Sequence, residues 1–180
     1  MILIKYILGI GLAALTLFSC SNKESLQRYI VDRQDDDSFL KIDIAASLLQ
    51  TDSANLSQEE KDILKTIKKI NVVAYPIEEG NVSTYEVKMQ VLKTILDQDR
   101  YKTLMKYGSN KEGATLKYVG LEDAIDEIIV FVRDDEKGFA LFRLLGDDMR
   151  PEQMIKLMTA IEKGNLDISK LNSIGKIFNM

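Results

Sequence analysis

The chain is predicted to be an α+β protein, with a mostly antiparallel sheet that ends in a four-strand meander and helices packed on one face. Three observations lead there. Apolar stripes of helical period follow capping signals in the first half of the chain, and the period shortens to two from Tyr101 onward. The strands of that second half are joined by turns too short for crossovers, so each must run back along its predecessor.

The elements follow in order. Leu26, Tyr29 and Ile30 share one helical face within Ser25 to Arg33, and Asp35-Asp36-Asp37 breaks that helix. Leu40, Ile42 and Ile44 alternate with Lys41 and Asp43, which predicts a half-buried strand from Phe39 to Ile44 running into a helical turn through Ala45 to Leu49. Ser57 with Glu60 forms a capping box, because the hydroxyl can accept a first-turn amide while the carboxylate returns to the Ser57 amide. Ile63, Leu64, Ile67 and Ile70 carry that helix to Lys68-Lys69, where positive charge suits the helix dipole. Val72 to Tyr75 is then a strand stopped by Pro76.

Ser83 with Glu86 predicts a second capping box, stapled by Val82 and Val87, and Val87, Val91, Leu92 and Ile95 carry the buried face to Leu96. Tyr101 to Tyr107 and Ala114 to Val119 form a hairpin around Gly108 to Gly113. The apolar run from Glu127 to Arg133 belongs in the middle of a sheet, and Phe139 to Leu145 pairs back across the turn Asp134 to Gly138. Pro151 suits the first position of a helix, whose face is Met154, Ile155, Met158 and Ile161 and whose end is Gly164. Ile168, Leu171, Ile174 and Phe178 predict a last helix from Asp167.

The N-terminus carries a targeting signal. Lys5 precedes an apolar run from Tyr6 to Phe18, shorter than the ~20 residues of a membrane-spanning helix, so residues 1–19 are expected to be a cleaved signal peptide. Leu17-Phe18-Ser19-Cys20 matches a lipobox, although Phe18 is bulkier than usual at its position. The thiol of Cys20 is therefore the expected lipidation site, and two or more acyl chains such as palmitate make a lasting anchor. Lipidation also accounts for a lone cysteine in an exported chain. Ser21 stands where many inner-membrane lipoproteins have aspartate, which favours the outer membrane and leaves open the periplasmic or surface face. Residues 20–180 then form one domain, with 20–38 as the anchor-proximal segment.

Composition narrows the chemistry. The chain has 180 residues, 46% of them hydrophobic, and a formal net charge of −4, an acidic balance that argues against nucleic acid. It contains no histidine, which removes histidine-based triads and histidine-bearing zinc or haem sites. No cofactor motif is present. Asp35 to Asp37, Glu122-Asp123 with Asp126-Glu127, and Asp147-Asp148 could offer oxygen ligands, but they lack EF-hand spacing and read as turns and caps. Ser109 and Lys111 likewise read as turn residues rather than a catalytic pair. Tyr101, Tyr107, Tyr118, Phe131, Phe139 and Phe142 read as strand core before they read as a pocket, and Met149, Met154, Met158 and Met180 as core filling.

Several motifs together resemble those of small Bacteroidota lipoproteins that carry an uncharacterised domain. They are the lipobox cysteine, Leu26 to Tyr29, the Asp43 to Leu49 turn, the Lys68-Lys69 helix end and the loop Tyr107-Gly108-Ser109-Asn110. Asp123-Ala124-Ile125-Asp126-Glu127 and Gly138-Phe139-Ala140 with Gly146-Asp147-Asp148-Met149 complete the set, which spans nearly all of the mature chain. The resemblance implies an envelope role and supplies no catalytic or binding residue.

The function expected is that of a non-catalytic, lipid-anchored module whose partners are the membrane, through Cys20, and another envelope protein. An alternative is a periplasmic carrier or sensor of a small apolar ligand, which requires a pocket of several hundred cubic ångströms between the sheet and helix layers. A carboxylate-based hydrolase is the third reading and requires two facing acidic side chains.

Overall fold

The computed structural model describes residues 24–45, 47–48, 55–78, 81–109 and 111–163. Cys20, the signal segment, Gly164 and the helix expected from Asp167 lie outside the described residues.

The described elements are α1 (Leu26–Asp32), β1 (Leu40–Ala45), α2 (Gln58–Thr66), β2 (Ile67–Pro76), α3 (Val82–Leu96), β3 (Lys102–Gly108), β4 (Glu112–Leu121), β5 (Ala124–Asp134), β6 (Gly138–Met149) and α4 (Pro151–Glu162). Their order is the expected one. The six strands form one antiparallel sheet in the order β1-β2-β6-β5-β4-β3, so β3 to β6 is the predicted meander and β6 closes against β2.

The capping signals divide. Ser57 and Glu60 form the predicted box, with the Glu60 amide donating to Ser57 Oγ at 3.2 Å and the Ser57 amide to Glu60 Oε2 at 2.7 Å. The second box is absent. The helix begins at Val82, with Asn81 as its N-cap, so Ser83 already lies inside the first turn. Asn81 instead closes the preceding turn, its Oδ1 accepting from the Glu78 amide at 2.9 Å. Val82 and Val87 are exposed and form no buried staple; Tyr85, Leu92, Ile95 and Leu96 are the buried face.

A second correction concerns Lys68-Lys69. The helix stops at Thr66, and both lysines belong to β2, which gains ladder bonds on each side by pairing with β1 and β6. There the lysines serve cross-strand ion pairs, Lys69 with Asp43 at 3.1 Å and Lys68 with Asp147.

The helices expected on one face divide between two. On the first face, α1 and α3 cover Val73 and Tyr75 of β2, Ile129 and Phe131 of β5, and Phe139 and Leu141 of β6. On the opposite face, α2 and α4 pack with Ile44, Tyr118, Ile125, Ile128 and Met149. The cause lies in the central strands, where Val72 with Val73, Ile128 with Ile129 and Ala140 with Leu141 are apolar on both sides. A strand of that kind must be covered twice.

The first core is largely aromatic. Phe39 meets Tyr75 edge-on at 5.1 Å, and Tyr75 stacks on Phe139 at 5.8 Å. Of the strand aromatics, Tyr101, Tyr118, Phe131 and Phe139 are buried as expected, whereas Tyr107 is 78% exposed.

Candidate functional site

Helices α1 and α3 do not cover the first face completely. Beyond the C-terminal end of α3, the sheet continues through β4 to the edge strand β3, and a cleft of about 530 Å³ opens there. Its floor follows from the register. Phe131, Thr115 and Lys106 lie side by side on β5, β4 and β3. Arg133, Gly113 and Gly108 form the next row toward the hairpin, and Ile129, Lys117 and Thr103 the row before it. Lys93, Leu96 and Asp97 at the end of α3 form the wall.

The hairpin depends on its glycines. Gly108 has φ +107, and a Cβ there would run into the Glu112 carbonyl, so the tight turn admits no ordinary side chain. Within the turn, Ser109 Oγ accepts from the amides of Lys111 at 3.2 Å and Glu112 at 3.3 Å. Ser109 is thus a turn residue, as the sequence suggests.

The cleft is electropositive. Among the described residues, Lys93, Lys106, Lys117 and Arg133 line it together with the carboxylate of Asp97, and Arg133 carries its own counter-charge in Asp135. Lys117 is 7% exposed, and its Nζ donates to the Tyr101 carbonyl at 3.2 Å. Burial pushes this ammonium below its ordinary pKa; the charge of Asp97 opposes the shift and that of Lys106 adds to it. Arg133 reaches Asp135 at 3.3 Å and the Ser109 carbonyl at 3.2 Å.

Farther along the same face lies a buried ion pair. Arg143 Nε donates to Glu127 Oε1 at 2.8 Å and Nη2 to Oε2 at 3.1 Å, while Nη1 donates to Gln27 Oε1 of α1. Both charged side chains are under 10% exposed. Asn71, beside Arg143 in the ladder, donates to Asp43. This group ties α1 to the sheet.

The acidic clusters are structural where they are described. Asp36 accepts from Lys88 at 2.6 Å and from Ser38, and the Lys88 hydrogen bond is the main reason that its carboxyl pKa is held down to about 2. Lys88 also lies 4.4 Å over the Phe39 ring. Asp147 pairs with Lys68, and Glu122 accepts from the Tyr118 hydroxyl at 3.3 Å. Among the described residues, no group of three or more acidic or cysteine side chains could hold a metal ion, and no helix is long and apolar enough to cross a membrane.

The cleft differs from the expectations for both ligand-based readings. It is open at the sheet edge and rimmed by cations, unlike an enclosed apolar cavity between layers. Among the described residues, Asp97 has no second carboxylate facing it there. Lys117 and Arg143 were the residues missed in the sequence. Their signal was a charge at an apolar position, since Lys117 shares its face with Val119, and Arg143 shares its face with Leu141.

No curated protein and no solved structure matches the chain. A family model does, over residues 29–157, from Tyr29 of α1 to Leu157 of α4, which takes in the whole sheet and the cleft. Its description is a domain of unknown function, DUF4252, and the chain belongs to that family.

Proposed function

We propose that the protein is a lipid-anchored, non-catalytic module of the cell envelope that binds an extended segment of another envelope protein along β3. The observation that carries this reading is the state of that strand. β3 is a sheet edge with all seven residues exposed, and it presents Leu104, Met105 and Tyr107 to solvent at 37%, 58% and 78%. An edge strand has unpaired backbone donors and acceptors, and a partner strand can satisfy them while apolar side chains add area. Attachment through Cys20 is supported by Leu17-Phe18-Ser19-Cys20, the outer membrane is favoured by Ser21 in place of aspartate, and the lack of histidine favours a non-catalytic role.

The test compares wild type with a Met105→Lys/Tyr107→Lys variant as baits in detergent-solubilised membranes. A specific partner held by wild type and lost by the variant is the expected result, since charges on an edge discourage strand addition. Equal capture by both, or no specific capture by wild type, counts against β3 docking. Mass spectrometry of the mature N-terminus, with Cys20→Ala as control, tests the anchor separately.

A further inference from the structure

We propose that the cleft between α3 and the β3–β4 hairpin binds a small amphipathic anion. Its carboxylate or phosphate head sits between Lys106 and Lys117, and its apolar body lies toward Leu96 and Phe131 at the inner end of the cleft. By their register with Leu116 and Ala114, Met105 and Tyr107 belong to the opposite face of β3 from Lys106, although Tyr107 also borders the cleft.

The strongest reason is Lys117. A buried ammonium is costly unless a counter-charge or a full set of hydrogen bonds compensates it. Among the described residues, its one hydrogen-bond acceptor is the neutral Tyr101 carbonyl, and no carboxylate stands within ion-pair distance. Asp97 acts on it only at longer range. Lys106, across the hairpin, increases the local positive charge. An anion bound between the two removes both penalties.

The register allows this convergence. Neighbouring strands are about 4.8 Å apart and residues two apart on a strand about 6.7 Å, so Lys106 and Lys117 flank Thr115 within the reach of their side chains, while Arg133 is held at the hairpin end by Asp135 and the Ser109 carbonyl. Gly113 supplies no side chain to fill the space between. Leu96 and Phe131, core residues that border the cleft at its inner end, make that end apolar and give the ligand's body its side. A volume of about 530 Å³ suits one small ligand.

Lysines are also placed on edge strands to prevent aggregation, and Lys106 alone would fit that role. Lys117 does not, because β4 is an interior strand and the side chain is buried. Three lysines in one cleft, beside an arginine paired with Asp135, also run against the formal charge of −4 carried by the whole chain.

Isothermal titration calorimetry on the purified full chain tests the proposal, with phenyl phosphate, inorganic phosphate and benzyl alcohol as probes. The expected result is saturable binding of phenyl phosphate, weaker binding of inorganic phosphate and none of benzyl alcohol. Lys106→Glu, a change at an exposed side chain, should weaken phenyl phosphate at least tenfold, and Lys117→Met should do the same. Lys65→Glu on α2 should leave it unchanged. Absence of saturable binding by either phosphate, or equal binding by wild type and Lys106→Glu, overturns the anion site. Equal affinity for the two phosphates overturns the apolar half alone. If Lys117→Met does not fold, Lys106→Glu still decides the matter, and neither result depends on whether β3 captures a protein.

Discussion

Arg143 and Glu127 lie 16 positions apart on neighbouring strands, and burial makes each the other's condition for staying charged. Removing one partner leaves an uncompensated charge inside the first core, so Glu127→Ala should cost about 3–5 kcal/mol in urea unfolding. Replacing both with apolar residues of similar size, Glu127→Leu with Arg143→Met, should recover most of that loss, because neither charge then has to be desolvated. A double variant as unstable as the single one would show that the pair itself, through Gln27, is needed to dock α1. The sequence reveals that Arg143 interrupts an apolar face, but its partner cannot be read, because pairing depends on strand register. The same holds for Lys117, whose cleft is assembled from α3, β3, β4 and β5. Turn residues such as Asp36 and Ser109 were easier to read, since the hydrogen bonds that shape their turns stay within three residues of chain, although Lys88 as a partner of Asp36 was not legible.

At the scale of elements, local chemistry made the order of helices and strands readable, while tertiary pairing moved their boundaries. Ser57 and Ser83 make the contrast measurable. Ser57→Ala removes the side-chain half of an observed capping box, leaving the backbone donor to Glu60 in place, and should destabilise the protein by about 1 kcal/mol. Ser83→Ala removes no cap, because α3 starts at Val82, and should change stability by less than about 0.5 kcal/mol. Chemical denaturation of the two variants side by side checks this, and a reversed ranking would contradict the observed helix start. The motif S-x-x-E was present both times. What separated them was the turn before α3, where Asn81 engages Glu78 and Pro76 and sets the first helical turn two residues early. Lys68-Lys69 failed as a helix end for a different reason, since β2 extends back to Ile67 along β6 and is paired with β1 from Lys69 onward.

For the whole molecule, the α+β class and the meander were legible because short turns force antiparallel neighbours. The position of β6 between β2 and β5 was not, because β2 is far away in sequence and either edge of the meander could have received it. Protection should follow the resulting geometry. Amide hydrogen exchange is expected to be slowest in β2, β5 and β6, which pair on both sides and lie under helices, and fast in β3. Comparable protection of β3 and β6 would mean that the edge is covered in solution. The placement of β6 also governs how the chain acquires its structure. When synthesis has reached Lys137, the pair β1–β2 and the three strands β3–β4–β5 have no ladder between them. Only the next twelve residues, Gly138–Met149, join the two parts. The nascent protein must therefore keep two incomplete half-sheets, each with an open apolar margin, from sticking elsewhere until its final strand emerges. Long-range closure of this kind is slow, so the two half-sheets stay unjoined late into synthesis.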